Sequence, residues 1–221
     1  MIQLSANLQI SRYEWAEICL RELLPKSSSP VVSDVGSGDG RMRNITESAG
    51  GQWQGFDIAP QRPDIVSWNL DYPSPNESKS PGIILLLDVL EHLNNPWLNI
   101  QNLTDTLIPG GFLIITVPNP RWSRSRFNTL GKGYPACFTQ SDLDLNHHVF
   151  TPWPHIVEKL LNDTGFNVEQ YVTLDGQTNL PGNPYNFRYP VRYVFSLLNM
   201  VIEKYDPSAC GMSYGIVAKK R

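Results

Sequence analysis

The chain has 221 residues, a formal net charge of -3, 41% hydrophobic and 18% charged residues, a composition that suits one domain with a buried core and excludes a charge-rich disordered chain. The acidic balance argues against general attraction to phosphate backbones, so no nucleic acid partner is expected. Cys19, Cys137 and Cys210 are widely separated and lack CxxC spacing, which indicates neither a disulfide framework nor a zinc site; no metal is expected, and the thiols suit a reducing compartment.

The opening MIQLSANLQISRYEW has no basic flank followed by an apolar stretch, and no apolar run nears the ~20 residues that span a bilayer. A cytoplasmic protein with no membrane association is expected. SRYEWAEICLRELLP then reads as an amphipathic helix: Ser11 caps it, Glu14 completes a capping box, and Pro25 ends it. VVSDV is a short buried strand, RMRNITESAG a helix stopped by Gly50 and Gly51, GQWQGFDI a second strand closing at Asp57, and PDIVSWNLD a third. YPSPNESKSP is a polar loop. GIILLLD, apolar on both faces, suits a central parallel strand covered by helices on both sides.

Asn95 and Pro96 start a helix carrying Trp97, Ile100, Leu103 and Leu107 down to the stop at Pro109-Gly110-Gly111, and FLIITV is another buried strand. This alternation of strand and helix predicts an α/β fold with a doubly wound, mostly parallel sheet. Beyond Pro118 the pattern loosens into a long functional loop with short helices, followed by a helix in TPWPHIVEKLLNDTGF, a strand in NVEQYVTL, a helix in VRYVFSLLNMVIEKY and a terminal strand in SYGIVAKKR. The expected organisation is a single domain over residues 1–221: an N-terminal helix in 1–28, a cofactor-binding half in 29–120, and acceptor-side elements in 121–221. Within the last part, 178–212 reads as an insertion before the terminal strand.

The chemistry concentrates in VVSDVGSGDG. Gly36, Gly38 and Gly40 permit positive φ and remove Cβ atoms, so a ligand can approach the backbone at the carboxyl end of the first strand, where open α/β sheets bind their ligands. A dinucleotide fingerprint would place its third small residue at position 41, where this chain has Arg41; that weakens an NAD-dependent oxidoreductase reading. Asp57, at the end of the next strand, can accept hydrogen bonds from ribose hydroxyls. A nucleoside is indicated.

These residues resemble the class I S-adenosylmethionine-dependent methyltransferases. DVGSGDG resembles their first motif, GFDI the ribose-binding acidic motif, WNLD the adenine-side motif, LLLDVLEHL the fourth strand and its exit, and LIPGGFLIITVPN the passage into the fifth strand, in order from Val31 to Asn119. Weaker matches, NHHVFT and NDTGFNV, extend further. The resemblance implies a seven-stranded Rossmann-like sheet with a reversed terminal strand, S-adenosylmethionine as cofactor and S-adenosylhomocysteine as product. It also implies that Asp34 organises the glycine turn, with Gly36, Ser37 and Gly38 beneath the methionine end. Asp57 would hold the ribose and Ile58 cover one adenine face, Asn69, Leu70 and Asp71 would meet the adenine edge, and Asp88 with Val89 would line the inner wall. Plainer roles stay open: Asp34 or Asp88 could cap a helix, Asn69 could close a turn, Ile58 could be core.

For a hydroxyl acceptor, which must lose a proton, His92 and His148 are the candidate catalytic residues. His147 and His148 lie in a segment resembling the His-x-Phe-x-Thr region of ubiquinone-type O-methyltransferases, and a structural histidine is the competing reading. Arg121, Arg124, Arg126 and Lys132, beside Trp122 and Phe127, form either a solvated basic face or a lid over an anionic acceptor. VPNPRW with SRSRF and GKGYP also resembles the MetW-type proteins of methionine biosynthesis, which leaves open a regulatory or partner protein that binds the cofactor without turnover. No NPPY-like motif follows the fourth strand, which counts against adenine and glutamine N-methylation and points to a small-molecule acceptor; oxygen is taken as the methylated atom ahead of nitrogen or carbon. A homodimer or a protein partner is open.

Overall fold

The first helix begins where Ser11 can cap it. In the computed structural model, which describes residues 3–76, 78–176 and 189–221, Ser11 Oγ accepts the Glu14 amide at 3.2 Å and Glu14 Oε2 accepts the Ser11 amide at 2.8 Å. This capping box opens α1 (Arg12–Leu23), whose Trp15, Ala16, Cys19, Leu20 and Leu23 are buried. The strands are β1 (Ala6–Asn7), β2 (Val31–Val35), β3 (Gln52–Asp57), β4 (Ile65–Ser67), β5 (Ile83–Leu87), β6 (Phe112–Pro118), β7 (Phe166–Leu174) and β8 (Ser213–Lys220). Among the described residues they form one eight-stranded sheet in the order β1-β7-β8-β6-β5-β2-β3-β4. β8 runs antiparallel to β6 and β7, and the other pairings are parallel.

The expected α/β class and reversed terminal strand are present, but the strand count of seven is corrected to eight. The addition is β1, which pairs Ala6 with Val172 and Asn7 with Thr173 along the outer edge of β7. Two residues carry no readable period, and what makes them a strand is the edge itself: the Ser5 and Leu8 amides donate to Tyr171 and Thr173 carbonyls that would otherwise face solvent.

β5 explains its own unbroken apolar run. Ile84 and Leu86 join the cluster with Leu113, Ile115 and Leu160, whereas Ile83 and Leu85 join the opposite one with Trp15, Leu20 and Ile114, and all four β5 residues are fully buried. One face is covered by α3 (Pro96–Thr106) and α6 (Pro154–Asp163), the other by α1 and α2 (Met42–Ser48). Sequence order turns back between β2 and β5, so the carboxyl ends of those two strands open the crevice where ligands of such sheets bind.

The irregular region holds α4 (Ser123–Lys132) and α5 (Gln140–Asn146), and α7 (Tyr189–Tyr205) precedes β8. Arg121 and Arg126 both pair with Asp206 just beyond α7, and Ser123 Oγ donates to Glu203 Oε1 at 2.6 Å. Two arginines of the expected lid therefore tie α4 to α7. Val194, Leu198, Val201 and Tyr205 on α7 are exposed. Of the expected insertion, residues 178–188 lie outside the described residues. Among the described residues no helix is long and apolar enough to cross a membrane.

Candidate active site

β2 delivers the chain to Gly36, where it must turn sharply. The Gly36 and Ser37 amides both donate to the Phe56 carbonyl, at 2.8 and 3.0 Å, which folds the loop back over the end of β3. Gly36 has φ +73°, and a Cβ there would lie 2.3 Å from Val89 Cγ2; Gly38 has φ +54°, and a Cβ there would meet no protein atom within 4 Å. Glycine is thus required at Gly36 by a neighbour, and at Gly38 it leaves the backbone open to the crevice. Asp57 holds the loop from the adjacent strand: its Oδ2 accepts the Gly38 amide and its Oδ1 the Ala59 amide, each at 2.9 Å.

Two cavities meet at Gly36. The smaller, about 250 Å³, is lined by Tyr13, Asp34, Ser37, Gly38 and Met42. The larger, about 440 Å³, is lined by Asp57, Ile58, Asn69, Leu70, Asp71 and Val89, together with Trp68, Asn99 and His92. Asp34 is 4% exposed and accepts a hydrogen bond from Trp53 Nε1 at 3.1 Å; burial pushes its carboxyl up to about 6 against that bond. Ile58 is 69% exposed at the mouth of the larger cavity, an apolar side chain not covered by the protein itself. Asn69 Oδ1 accepts the Asp71 amide at 3.0 Å, so it also closes the local turn, and Asp71 Oδ1 accepts from Asn99 Nδ2 at 2.8 Å.

Asp88 faces a third cavity, of about 250 Å³, on the other side of Val89. It sits at φ 55° and pairs with Arg12 Nε at 2.5 Å while Thr116 Oγ1 donates to its Oδ1 at 3.2 Å. Burial pushes Asp88 up to about 6, with Arg12 opposing the shift. The same cavity is lined by Glu91, His92, Cys137 and His148. His92 therefore borders both the larger cavity and this one. Burial, and then the neighbouring His148, hold His92 below the ordinary imidazole value. The two rings stand 4.9 Å apart at 71°, and His148 Nδ1 lies 2.6 Å from the Cys137 carbonyl oxygen. His147, at φ 60°, lines the larger cavity instead. Glu91 is 1% exposed, and burial, reinforced by Asp88, pushes it up to about 8.

The structure thus gathers Asp34, Gly36, Ser37, Gly38, Asp57, Ile58, Asn69, Leu70, Asp71 and Val89 around two connected cavities, and Asp88, His92 and His148 around the third. Arg12 and Glu91 were not anticipated there. Nothing local in SRYEW marks Arg12, which reaches Asp88 only through the packing of α1 on the sheet. Glu91 did carry a signal: an acid among the leucines of LLLDVLEHL has few ways to be solvated.

S-adenosylmethionine fits this arrangement. Ser37 Oγ and Asn99 Oδ1 are buried acceptors with no hydrogen-bond partner among the described residues, one in each connected cavity, and the bare backbone at Gly38 leaves room for a ligand. A family model described as a methyltransferase domain matches residues 8–171, and the chain belongs to that family: it is an S-adenosylmethionine-dependent methyltransferase. No curated protein matches the chain. Its fold is similar to that of an S-adenosylmethionine-dependent methyltransferase from Archaeoglobus fulgidus, at 19% identity, 94% of each chain and a TM-score of 0.61. It is likewise similar to one from Mesorhizobium loti, at 16% identity, 94% of this chain, 97% of that one and a TM-score of 0.54. Magnesium protoporphyrin IX methyltransferase from Synechocystis, solved with S-adenosylhomocysteine, aligns at 14% identity over 95% of this chain and 84% of that one, with a TM-score of 0.56.

Proposed function

We propose that the chain methylates an oxygen of a small molecule held in the cavity of Arg12, Asp88 and His148. The observation that carries this reading is the position of His92, which borders both that cavity and the larger one at the glycine loop. A proton-accepting imidazole pair stands where an acceptor would meet the cofactor, and a cavity of about 250 Å³ admits a small molecule rather than a macromolecular surface.

On the cofactor side, Asp34, Gly36, Ser37 and Gly38 hold the methionine end and Asp57 the ribose. Ile58 covers one face of the adenine, Asn69, Leu70 and Asp71 meet its edge, and Val89 forms the wall. Asp88 belongs to the acceptor side, where it fixes Arg12. Bound there, S-adenosylmethionine would supply an electrophilic methyl group to the acceptor oxygen, with S-adenosylhomocysteine as the leaving group. The chain contributes proximity, alignment and removal of the hydroxyl proton by the His92–His148 pair. A neutral His92 is available for this because burial disfavours its charged form.

The test is incubation with S-adenosylmethionine and a panel of small phenols, hydroxy acids and matched amines, with mass spectrometry of the products. An ether or ester bearing the methyl group is expected. Methylation confined to nitrogen or carbon would overturn the oxygen assignment, and cofactor binding without turnover on any acceptor would favour a regulatory protein.

A further inference from the structure

Glu91 and His92 are consecutive in a 3-10 turn, Leu90–His92, that leaves the carboxyl end of β5. His148 comes from the segment after α5, and that segment is pinned to the turn: the Val149 and Phe150 amides both donate to the Glu91 carbonyl at 3.0 Å. One ligating atom from each of Glu91, His92 and His148 lies within 4.8 Å of the other two. The backbone holds the three side chains on one frame.

Glu91 is the anomaly. It is 1% exposed, yet its Oε2 has no hydrogen-bond partner among the described residues. A buried carboxyl oxygen left without a partner bears its desolvation cost uncompensated, and a bound ion is one of the partners that relieves it. The histidines are already oriented as ligands are. The Cys137 carbonyl, 2.6 Å from His148 Nδ1, can only accept, so Nδ1 carries the proton and Nε2 keeps its lone pair. The His92 ring stands 4.9 Å from the His148 ring at 71°, beside Glu91 on the same 3-10 turn. Metal-bound histidines characteristically donate their other ring N–H to a carbonyl or carboxylate.

Charge points in the same direction. Asp88, Glu91 and Asp142 line this cavity, and its Arg12 is already paired with Asp88 at 2.5 Å. Asp142 accepts from the Thr139 amide and hydroxyl and from Asn146, so Glu91 is the carboxylate left for a cation to meet. Two imidazoles and one carboxylate suit the borderline transition ions rather than calcium or magnesium, which prefer oxygen.

We infer that Glu91, His92 and His148 form a binding site for one divalent transition-metal ion of the zinc class, with its open coordination positions facing the acceptor cavity. Metal–ligand distances of about 2.1 Å place neighbouring ligand atoms roughly 3–3.5 Å apart, so the side chains draw together by about 1 Å on binding. The proposed ion departs from the expectation, drawn from cysteine spacing, that no metal is held. Its catalytic role rests on the oxygen-methylation reading: an ion at this position would lower the pKa of an adjacent hydroxyl, whose proton would leave to solvent through the cavity, and with the ion bound the two histidines would serve as its ligands in place of taking the proton themselves. Its binding does not rest on that reading.

The experiment is a titration of the chelator-treated full chain with Co2+ alone, followed by absorption, and then displacement by Zn2+, with neither cofactor nor acceptor present. A single equivalent of Co2+ with ligand-field bands is expected, and Glu91→Gln and His148→Ala should each weaken it at least ~tenfold while retaining S-adenosylhomocysteine affinity and the far-ultraviolet dichroism of the parent. Should Glu91→Gln fail to fold, His148→Gln on the half-buried ring reads the same loss. Absence of uptake by the folded wild-type chain, or uptake unchanged in the folded variants, overturns the site. Stoichiometric uptake in a chain that methylates no hydroxyl confirms the site and sinks the acceptor reading alone.

Discussion

Replacing Gly36 and Gly38 in turn by alanine separates what the glycine loop does for the fold from what it does for the ligand. At Gly36 an L-residue must adopt φ +73° and place its Cβ 2.3 Å from Val89 Cγ2. The left-handed backbone costs about 1–2 kcal/mol, and displacing a side chain from a packed site about 1–3 kcal/mol more, so Gly36→Ala should lose roughly 2–5 kcal/mol of stability. At Gly38 the backbone penalty applies, with φ +54°, but no protein atom lies within 4 Å of the new Cβ. Gly38→Ala should therefore lose only about 1–2 kcal/mol, and its methyl group projects into the space that the cofactor needs. Urea unfolding without ligand measures the first quantity, and calorimetric titration with S-adenosylhomocysteine the second. The account requires Gly38→Ala to be the more stable variant and still to bind at least ~tenfold more weakly than wild type, a loss of about 1.4 kcal/mol. Equal stabilities, or wild-type affinity in Gly38→Ala, would refute the reasoning.

Asp57→Ala removes a carboxylate that both anchors the Gly38 amide and is assigned to the ribose; S-adenosylhomocysteine affinity should fall by about 1.5–3 kcal/mol, and an unchanged calorimetric Kd would exclude the ribose contact. His148→Ala should lower kcat by roughly 10²–10⁴-fold with cofactor affinity retained, whereas full turnover would make the residue structural. Asp34, raised in the fold from 3.8 to about 6, binds its proton more tightly folded than unfolded, so its contribution to stability is complete below pH 4 and is lost as pH rises through 6. Asp34→Asn should therefore gain on wild type by about 2–2.5 kcal/mol between pH 4 and pH 7. Parallel unfolding free energies at the two pH values would show that the carboxyl is not strained by burial.

The parts of the site that the sequence disclosed are those built from neighbours along the chain. Gly36, Ser37 and Gly38 follow the strand that positions them, and Asp57 closes the adjacent strand, so their position at the crevice was legible from periodicity and spacing, while the roles given to them came from the family resemblance. β5 was equally plain, because burial on both faces requires an unbroken apolar run. β1 escaped because its partner, β7, lies at the other end of the chain and a two-residue strand is made by the edge it covers. Arg12 escaped for the same reason, since its pairing with Asp88 is created by the packing of α1 against β5. For Arg121 and Arg126 the sequence left a solvated face and an anion-binding lid both open, because an arginine-rich stretch does not reveal an acid as remote as Asp206. Asp88 and Val89 show the finest limit: adjacent residues at a strand end face different cavities, and only the local turn at φ 55° decides which.

The central claim is that the crevice at the carboxyl ends of β2 and β5 holds the adenosyl cofactor. Calorimetric titration of the purified chain with S-adenosylmethionine and S-adenosylhomocysteine, with NAD as comparator, tests it most directly. Saturable single-site binding of both sulfur nucleosides and none of NAD is the predicted result. Binding of NAD instead, or of none of the three by the folded chain, would contradict the account.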